Sequence, residues 1–314
     1  MVSGTPETVT PARQGNPFDP AAEAAYAAWR EWKLARLPAL SELVVEVADP
    51  WNPTPAEHAA LLDRLQRVNL ALYQLDPAIT DKDAIRALGR RFGLERLDGN
   101  LCADADRITS LQVSSDGARG EYIPYTNRRL SWHTDGYYNA PDQQIRGIVM
   151  HCVRPAAEGG ESAFLDHELV YILMREANPA WIRALMAPDA MTIPANESGG
   201  RVIRPAHTGP VFSIDPASQA LHMRYSARTR NIQWKDDADT RAAAAFLQAL
   251  WCEGSPWIYH HRLVPGQGII CNNTLHNRSG FQDAPEPPRQ RLLYRARYYD
   301  RVAGTGLSDI YPRI

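Results

Sequence analysis

Three side chains of a kind that binds metal stand at a spacing that lets them share one ion. In Leu130-Ser131-Trp132-His133-Thr134-Asp135-Gly136 an imidazole and a carboxylate lie two residues apart. In an extended segment alternate side chains share a face, so His133 and Asp135 can point into one cavity. A second imidazole, His276, closes the distant stretch Pro265-Gly266-Gln267-Gly268-Ile269-Ile270-Cys271-Asn272-Asn273-Thr274-Leu275-His276, which reads as a turn, an apolar strand and a polar corner. Two histidines and one carboxylate make the facial set of oxygen-activating iron(II) sites, which leaves three positions open. Two would take 2-oxoglutarate and the third O2. Oxidative decarboxylation of the keto acid to succinate and carbon dioxide would then oxidise a nearby C–H bond. The same donors also suit zinc, which keeps a hydrolase in view. A metabolite-binding jelly roll without catalysis is the third reading.

Arginines supply the second chemical signal. In Arg289-Gln290-Arg291-Leu292-Leu293-Tyr294-Arg295-Ala296-Arg297-Tyr298 they occupy odd positions, with Leu292, Tyr294, Ala296 and Tyr298 at even ones. A strand would separate the two sets onto opposite faces. A guanidinium fork facing the cavity could anchor the distal carboxylate of 2-oxoglutarate through two parallel hydrogen bonds. The competing reading is a strand whose arginines cover a solvent face. Only Lys33, Lys82 and Lys235 among the 34 basic residues are lysines, so an arginine says little about function unless its position does.

These residues need a scaffold. Residues 1–17, rich in Ser, Thr, Pro and Gly, read as a disordered tail, and 18–314 as a single domain. Asp19-Pro20 reads as a helix start leading into Ala21 to Leu37. Leu43 to Val47 suggests a strand. Thr54-Pro55 opens a second helix in which Leu61, Leu65, Val68 and Leu72 recur at helical spacing, and Asp81 to Phe92 a third. Beyond residue 100, short apolar runs at Ile108 to Val113, Ile145 to Val153 and Trp257 to Leu263 alternate with turns, interrupted by one further helix at Asp239 to Trp251. Helices gathered before a run of strands indicate an α+β fold, for which a jelly roll is the common closed form.

Bulk properties narrow the class. With 44% hydrophobic residues, 22% charged and a net charge of -2, the chain reads as an ordinary globular protein with a small-molecule partner rather than a nucleic acid. No run of about 20 apolar residues suggests a membrane span, and no apolar leader is visible, so a cytoplasmic place is the default. Cys102, Cys152, Cys252 and Cys271 lie far apart with no C-x-x-C pair and read as reduced. Assembly into a homo-oligomer stays open.

The order of these motifs resembles the taurine dioxygenase family, a branch of the 2-oxoglutarate-dependent oxygenases that includes γ-butyrobetaine and glutarate hydroxylases. The resemblance runs from about Ile108 to Tyr299. Trp132-His133-Thr134-Asp135, Glu158-Gly159-Gly160-Glu161-Ser162-Ala163-Phe164, the Pro265 to His276 segment, and Arg291 with Arg295 carry it. It implies Fe(II), 2-oxoglutarate and O2, and a double-stranded β-helix (jelly roll) core wrapped by helices. It assigns the iron to His133, Asp135 and His276, the keto acid to the Ser162 hydroxyl and Arg291, and an acidic group of the substrate to Arg295. Spacing by four keeps the two arginines on one strand face. It implies a mobile cover drawn from Met186 to Lys235, whose His222-Met223-Arg224-Tyr225-Ser226-Ala227-Arg228 makes Arg224 and Arg228 substrate candidates. Upstream of His133 the taurine-binding positions are not reproduced. Tyr122, Tyr125, Asn127 and Arg129 stand there instead, so Asn127 and Arg129 join the substrate candidates and taurine is not the expected substrate. Relatives have two more residues between Asn273 and the distal histidine. A two-residue loss preserves side-chain facing but tightens the corner. Asp135 argues against halogenation, because related halogenases lack that carboxylate. Hydroxylation of a small, polar, carboxylate-bearing metabolite is the expectation, with desaturation or ring closure by the same centre open.

Overall fold

The computed structural model describes residues 15–99, 103–114, 117–120, 122–228 and 232–311. Cys102 and most of the expected tail lie outside them. Within that tail, Pro17 is already engaged, its carbonyl accepting from the Arg175 guanidinium.

Ten strands form two principal sheets. We number them in chain order: β1 (Val44–Glu46), β2 (Leu70–Gln74), β3 (Thr109–Leu111), β4 (Leu130–His133), β5 (Gly147–Arg154), β6 (Ser162–Leu165), β7 (Tyr259–His261), β8 (Gln267–Cys271), β9 (Leu275–Arg278) and β10 (Leu292–Tyr298). The larger sheet has the order β1-β2-β8-β5-β10-β3 and the smaller β7-β6-β9-β4. Every pairing is antiparallel except β1 with β2. From β3 to β6, and again from β7 to β10, each successive strand lies in the other sheet.

Alternation along the strands sorts the core. Leu70, Leu72, Ile148, Met150, Cys152, Ile269, Cys271 and Leu293 turn one face of the larger sheet towards Phe164 of the smaller. Ala71, Tyr73, Val149, Ile270, Ala296 and Tyr298 turn the other face to helices α2 (Pro55–Val68) and α3 (Lys82–Arg91). Trp132, Ala163, Leu165 and Leu275 back the smaller sheet against α4 (His167–Ala177), α5 (Pro179–Met186) and α6 (Ala238–Glu253). Each large apolar side chain so buried contributes roughly 1.5–3 kcal/mol.

Several expectations need correction. The first helix, α1 (Glu23–Leu34), begins after Asp19, whose carboxylate instead accepts from the Ala21 amide in a turn. Leu72 belongs to β2 and not to the second helix, because Asn69 takes a left-handed conformation at φ 56° and ends α2 at Val68. The first hundred residues therefore supply two strands of the larger sheet as well as helices. Helices α4 and α5 were not expected. Between Met191 and Trp234 the chain builds small antiparallel pairings, such as Phe212–Ile214 with Leu221–Met223.

Candidate metal centre

Strand register brings the two histidines together. His276 on β9 is paired directly with His133 on β4, and their ring centroids lie 4.3 Å apart. Each ring is tethered to its own strand: His133 Nδ1 lies 2.9 Å from Ser131 O, and His276 Nδ1 lies 2.9 Å from Thr274 O. A carbonyl can only accept, so each Nδ1 carries the proton and each Nε2 keeps a free lone pair. Burial, reinforced by the charge of the neighbouring His133, lowers His276 to a pKa of about 4, which keeps the ring neutral at physiological pH.

Asp135 reaches the same point by a route other than the expected strand alternation. β4 ends at His133, and Asp135 opens the following turn. Asn273, left-handed at φ 50°, holds that turn: its Oδ1 accepts from the Asp135 amide at 2.8 Å, and its Nδ2 donates to Asp135 O and Ile145 O at 2.9 and 2.6 Å. Gly136 follows at φ +64°, where an added Cβ would stand 2.4 Å from Ile145 Cγ1. The shortened corner Asn272-Asn273-Thr274 is thus the clamp that aims the carboxylate. One donor atom from each of His133, Asp135 and His276 lies within 4.8 Å of the others.

The electrostatics favour a cation. Burial pushes the Asp135 carboxyl up, but the charge of the Arg295 guanidinium, with that of Arg297, outweighs it and holds the group well below the usual carboxylate range. Arg295 Nη1 donates to Asp135 Oδ1 at 3.1 Å, whereas Asp135 Oδ2 is buried without a partner. A metal ion bound by the two Nε2 atoms and the Asp135 carboxylate would satisfy donors brought within 4.8 Å of one another, so the residues present fit the ion.

Beside His276 lies a cavity whose lining includes Ser162, Met150, Arg278, Arg291 and Arg295. Three of the four odd-numbered arginines face inwards: Arg291, Arg295 and Arg297 are 5%, 6% and 3% exposed, which rules out the solvent-face reading of the strand, while Arg289 ahead of it is exposed. Arg291 Nη1 and Arg295 Nε are buried without hydrogen-bond partners.

Other expectations fare differently. The Arg224 guanidinium donates to the carbonyls of Met191, His207, Gly209 and Pro210 and braces that stretch of chain. Asn127 and Arg129 are exposed and do not line the cavity beside His276. Arg228 is half-buried next to Ser226, which bridges to His133. Arg295, expected on a substrate anion, already holds Asp135. Two features were not foreseen. Arg278 lies two residues after His276 on the same face of β9, so alternation could have found it. Arg297 ion-pairs with Asp98 and donates to Tyr138 Oη at 3.0 Å, and no spacing rule points to Asp98.

Residues 42–297 match the model of the taurine catabolism dioxygenase TauD, TfdA family. The chain belongs to that family. It thereby falls among the iron(II)- and 2-oxoglutarate-dependent dioxygenases, in accord with its donor set. It is 29% identical over 177 residues to a uridine-5'-phosphate dioxygenase of an Amycolatopsis species, a match that spans 53% of this chain and 60% of that protein. It is 22% identical over 238 residues to an (S)-phenoxypropionate/alpha-ketoglutarate-dioxygenase of Sphingobium herbicidovorans, covering 71% and 78% of the two chains. Among solved structures, asparagine oxygenase with Fe(II), 2S,3S-3-hydroxyasparagine and succinate shares the fold at a TM-score of 0.57 and 17% identity, covering 92% of this chain and 86% of that one. The non-heme iron oxygenase OrfP with Fe and alpha-ketoglutaric acid does so at 0.54 and 15%, covering 92% of each.

Proposed function

We propose that this protein oxidises a C–H bond of a small anionic metabolite, with Fe(II) on His133, Asp135 and His276 and 2-oxoglutarate as co-substrate. The observation that carries the reading is the adjacency of two things: three donor atoms within 4.8 Å of one another, and a cavity that runs from His276 to Ser162 and Arg291. A zinc hydrolase would need the first but has no use for a buried carboxylate clamp beside it. The alternation of strands between the two sheets supports a double-stranded β-helix, and we read 18–314 as one domain.

When bound, the iron and the keto acid would supply oxidative decarboxylation to succinate and carbon dioxide, coupled to oxidation of the substrate. The chain's own residues position the reaction. The Nδ1 tethers fix both imidazoles. Arg295 holds the Asp135 carboxylate in place. Ser162 and Arg291 would hold the distal carboxylate, the arginine through its unpartnered Nη1. Arg295 Nε remains for an anionic group of the substrate. A uridine phosphate and a phenoxypropionate, named for the two relatives, are both anions, which supports this class. Because Asp135 fills the third protein position, hydroxylation, desaturation or ring closure fits the site and halogenation does not.

Among the described residues no helix is long and apolar enough to cross a membrane. Free thiols at Cys152, Cys252 and Cys271 and an oxidisable ferrous site suit a reducing, cytoplasmic setting. The test is anaerobic titration with Fe(II) and 2-oxoglutarate, followed by screening small acids and phosphates for substrate-dependent succinate release. Wild-type protein should develop a visible charge-transfer band that His133→Ala abolishes; a full band in the variant would refute the ligand assignment.

A further inference from the structure

The cavity beside His276 contains more buried positive charge than a single carboxylate anchor explains. Arg278 is 5% exposed, and among the described residues it has no acidic partner within ion-pair distance. Its Nη2 donates to the carbonyls of Thr126, at 3.0 Å, and Arg128. Its Nε is buried and without a partner, as is Arg291 Nη1. The two guanidinium carbons lie 4.8 and 5.0 Å from the centre of one ring, that of Phe281.

Register adds an independent constraint. Arg278 on β9 is paired directly with Ser162 on β6, so the serine hydroxyl and this guanidinium leave adjacent strands side by side. Both residues, with Arg291, line the one cavity. Two buried guanidinium groups without an ion-pair partner repel each other and are costly to bury. A carboxylate has two oxygens and about four lone-pair directions, enough to accept from both forks at once.

We propose that Arg278 is a second guanidinium of the 2-oxoglutarate site, gripping the distal carboxylate opposite Arg291 while its other end fastens the Thr126–Arg128 loop ahead of β4. This rests on the functional reading above. A residue that merely braced the loop would treat all keto acids alike, whereas a residue on the distal carboxylate discriminates by that group.

The test compares 2-oxoglutarate with 2-oxovalerate, which has a methyl group in place of the distal carboxylate, binding anaerobically to the Fe(II)-loaded protein by calorimetry. Arg278→Met should weaken 2-oxoglutarate on the order of 10- to 100-fold and leave 2-oxovalerate within about twofold, with Arg278→Lys between. Equal weakening of both acids, or unchanged 2-oxoglutarate affinity, would overturn the proposal and leave the iron and keto-acid reading standing. Wild-type protein that binds neither acid would overturn both. In case the variants do not fold, the wild-type Arg278 Nε–H resonance should shift with 2-oxoglutarate and stay put with 2-oxovalerate; the same response to both acids refutes the idea.

Discussion

Asn273 governs the centre although it donates nothing to the metal. Its side chain accepts from the amide of Asp135 and donates to two carbonyls across the corner. Asn273→Ala removes all three bonds and also loses a residue type that tolerates the left-handed region. Iron(II) affinity in the variant should fall about 10- to 100-fold, the range for lost supporting bonds around a ligand, as measured by anaerobic titration. An unchanged affinity would show that the turn holds itself. The candidate ligands could be named from the sequence because their types and spacing are chemically restrictive, and the fold brings their donor atoms within 4.8 Å of one another. The role of Asn273 was not, since a clamp is a relation between a corner and a turn that only the folded chain brings together. The same holds for Arg224, whose setting among the family's site residues gave no hint that four carbonyls would absorb it.

Elements were legible where local chemistry punctuates the chain. Thr54 caps α2, accepting from the Glu57 amide while the Glu57 carboxylate reaches back to the Thr54 amide. Thr54→Ala should cost about 1 kcal/mol in chemical denaturation, with the iron site untouched. The miss at β2 has a definite cause: Leu72 continues the helical spacing of Leu61, Leu65 and Val68, and only the left-handed turn at Asn69 breaks the period. Gly268 on β8 shows what a strand position can demand. An added Cβ would lie 2.2 Å from Met150 O and from the Tyr73 ring. Gly268→Ala should force β8 away from its neighbours and lower the thermal midpoint by several degrees; an unchanged midpoint would mean that the Tyr73 ring simply swings aside.

Across the whole molecule, a buried charge cluster ties together segments distant in sequence. Lys33 of α1 pairs with Asp166 and Glu168 at the head of α4, with all three side chains fully buried. Asp166 also accepts from Asn69, which in turn accepts from Asn272 in the corner before His276. Lys33→Met would strand two carboxylates and should cost roughly 3–5 kcal/mol in denaturant unfolding. Nothing in the spacing of Lys33 and Asp166 announces this pair. The response to acid follows from a neighbouring group. Burial, with help from the charges of His167 and Arg146, lowers His222 from 6.5 to about 3. Below 6.5 the unfolded chain binds a proton that the folded chain refuses, so this group's contribution is complete above that pH and declines as the pH drops towards 3. The metal-free protein should therefore melt at a lower temperature at pH 5 than at pH 7, and His222→Gln should flatten the dependence.

The Nδ1 tethers of the two candidate metal-binding rings run to carbonyls two residues back, Ser131 within β4 and Thr274 in the corner before β9, so each ring takes its aim from its own backbone and not from an ion. Loading and emptying the centre should then be a local exchange with little reshaping of the surroundings. Deuterium uptake at residues 130–133 and 275–278 is expected to be nearly the same with and without iron. An empty protein waiting in the cell would be ready to take up the ion at once, with no refolding delay.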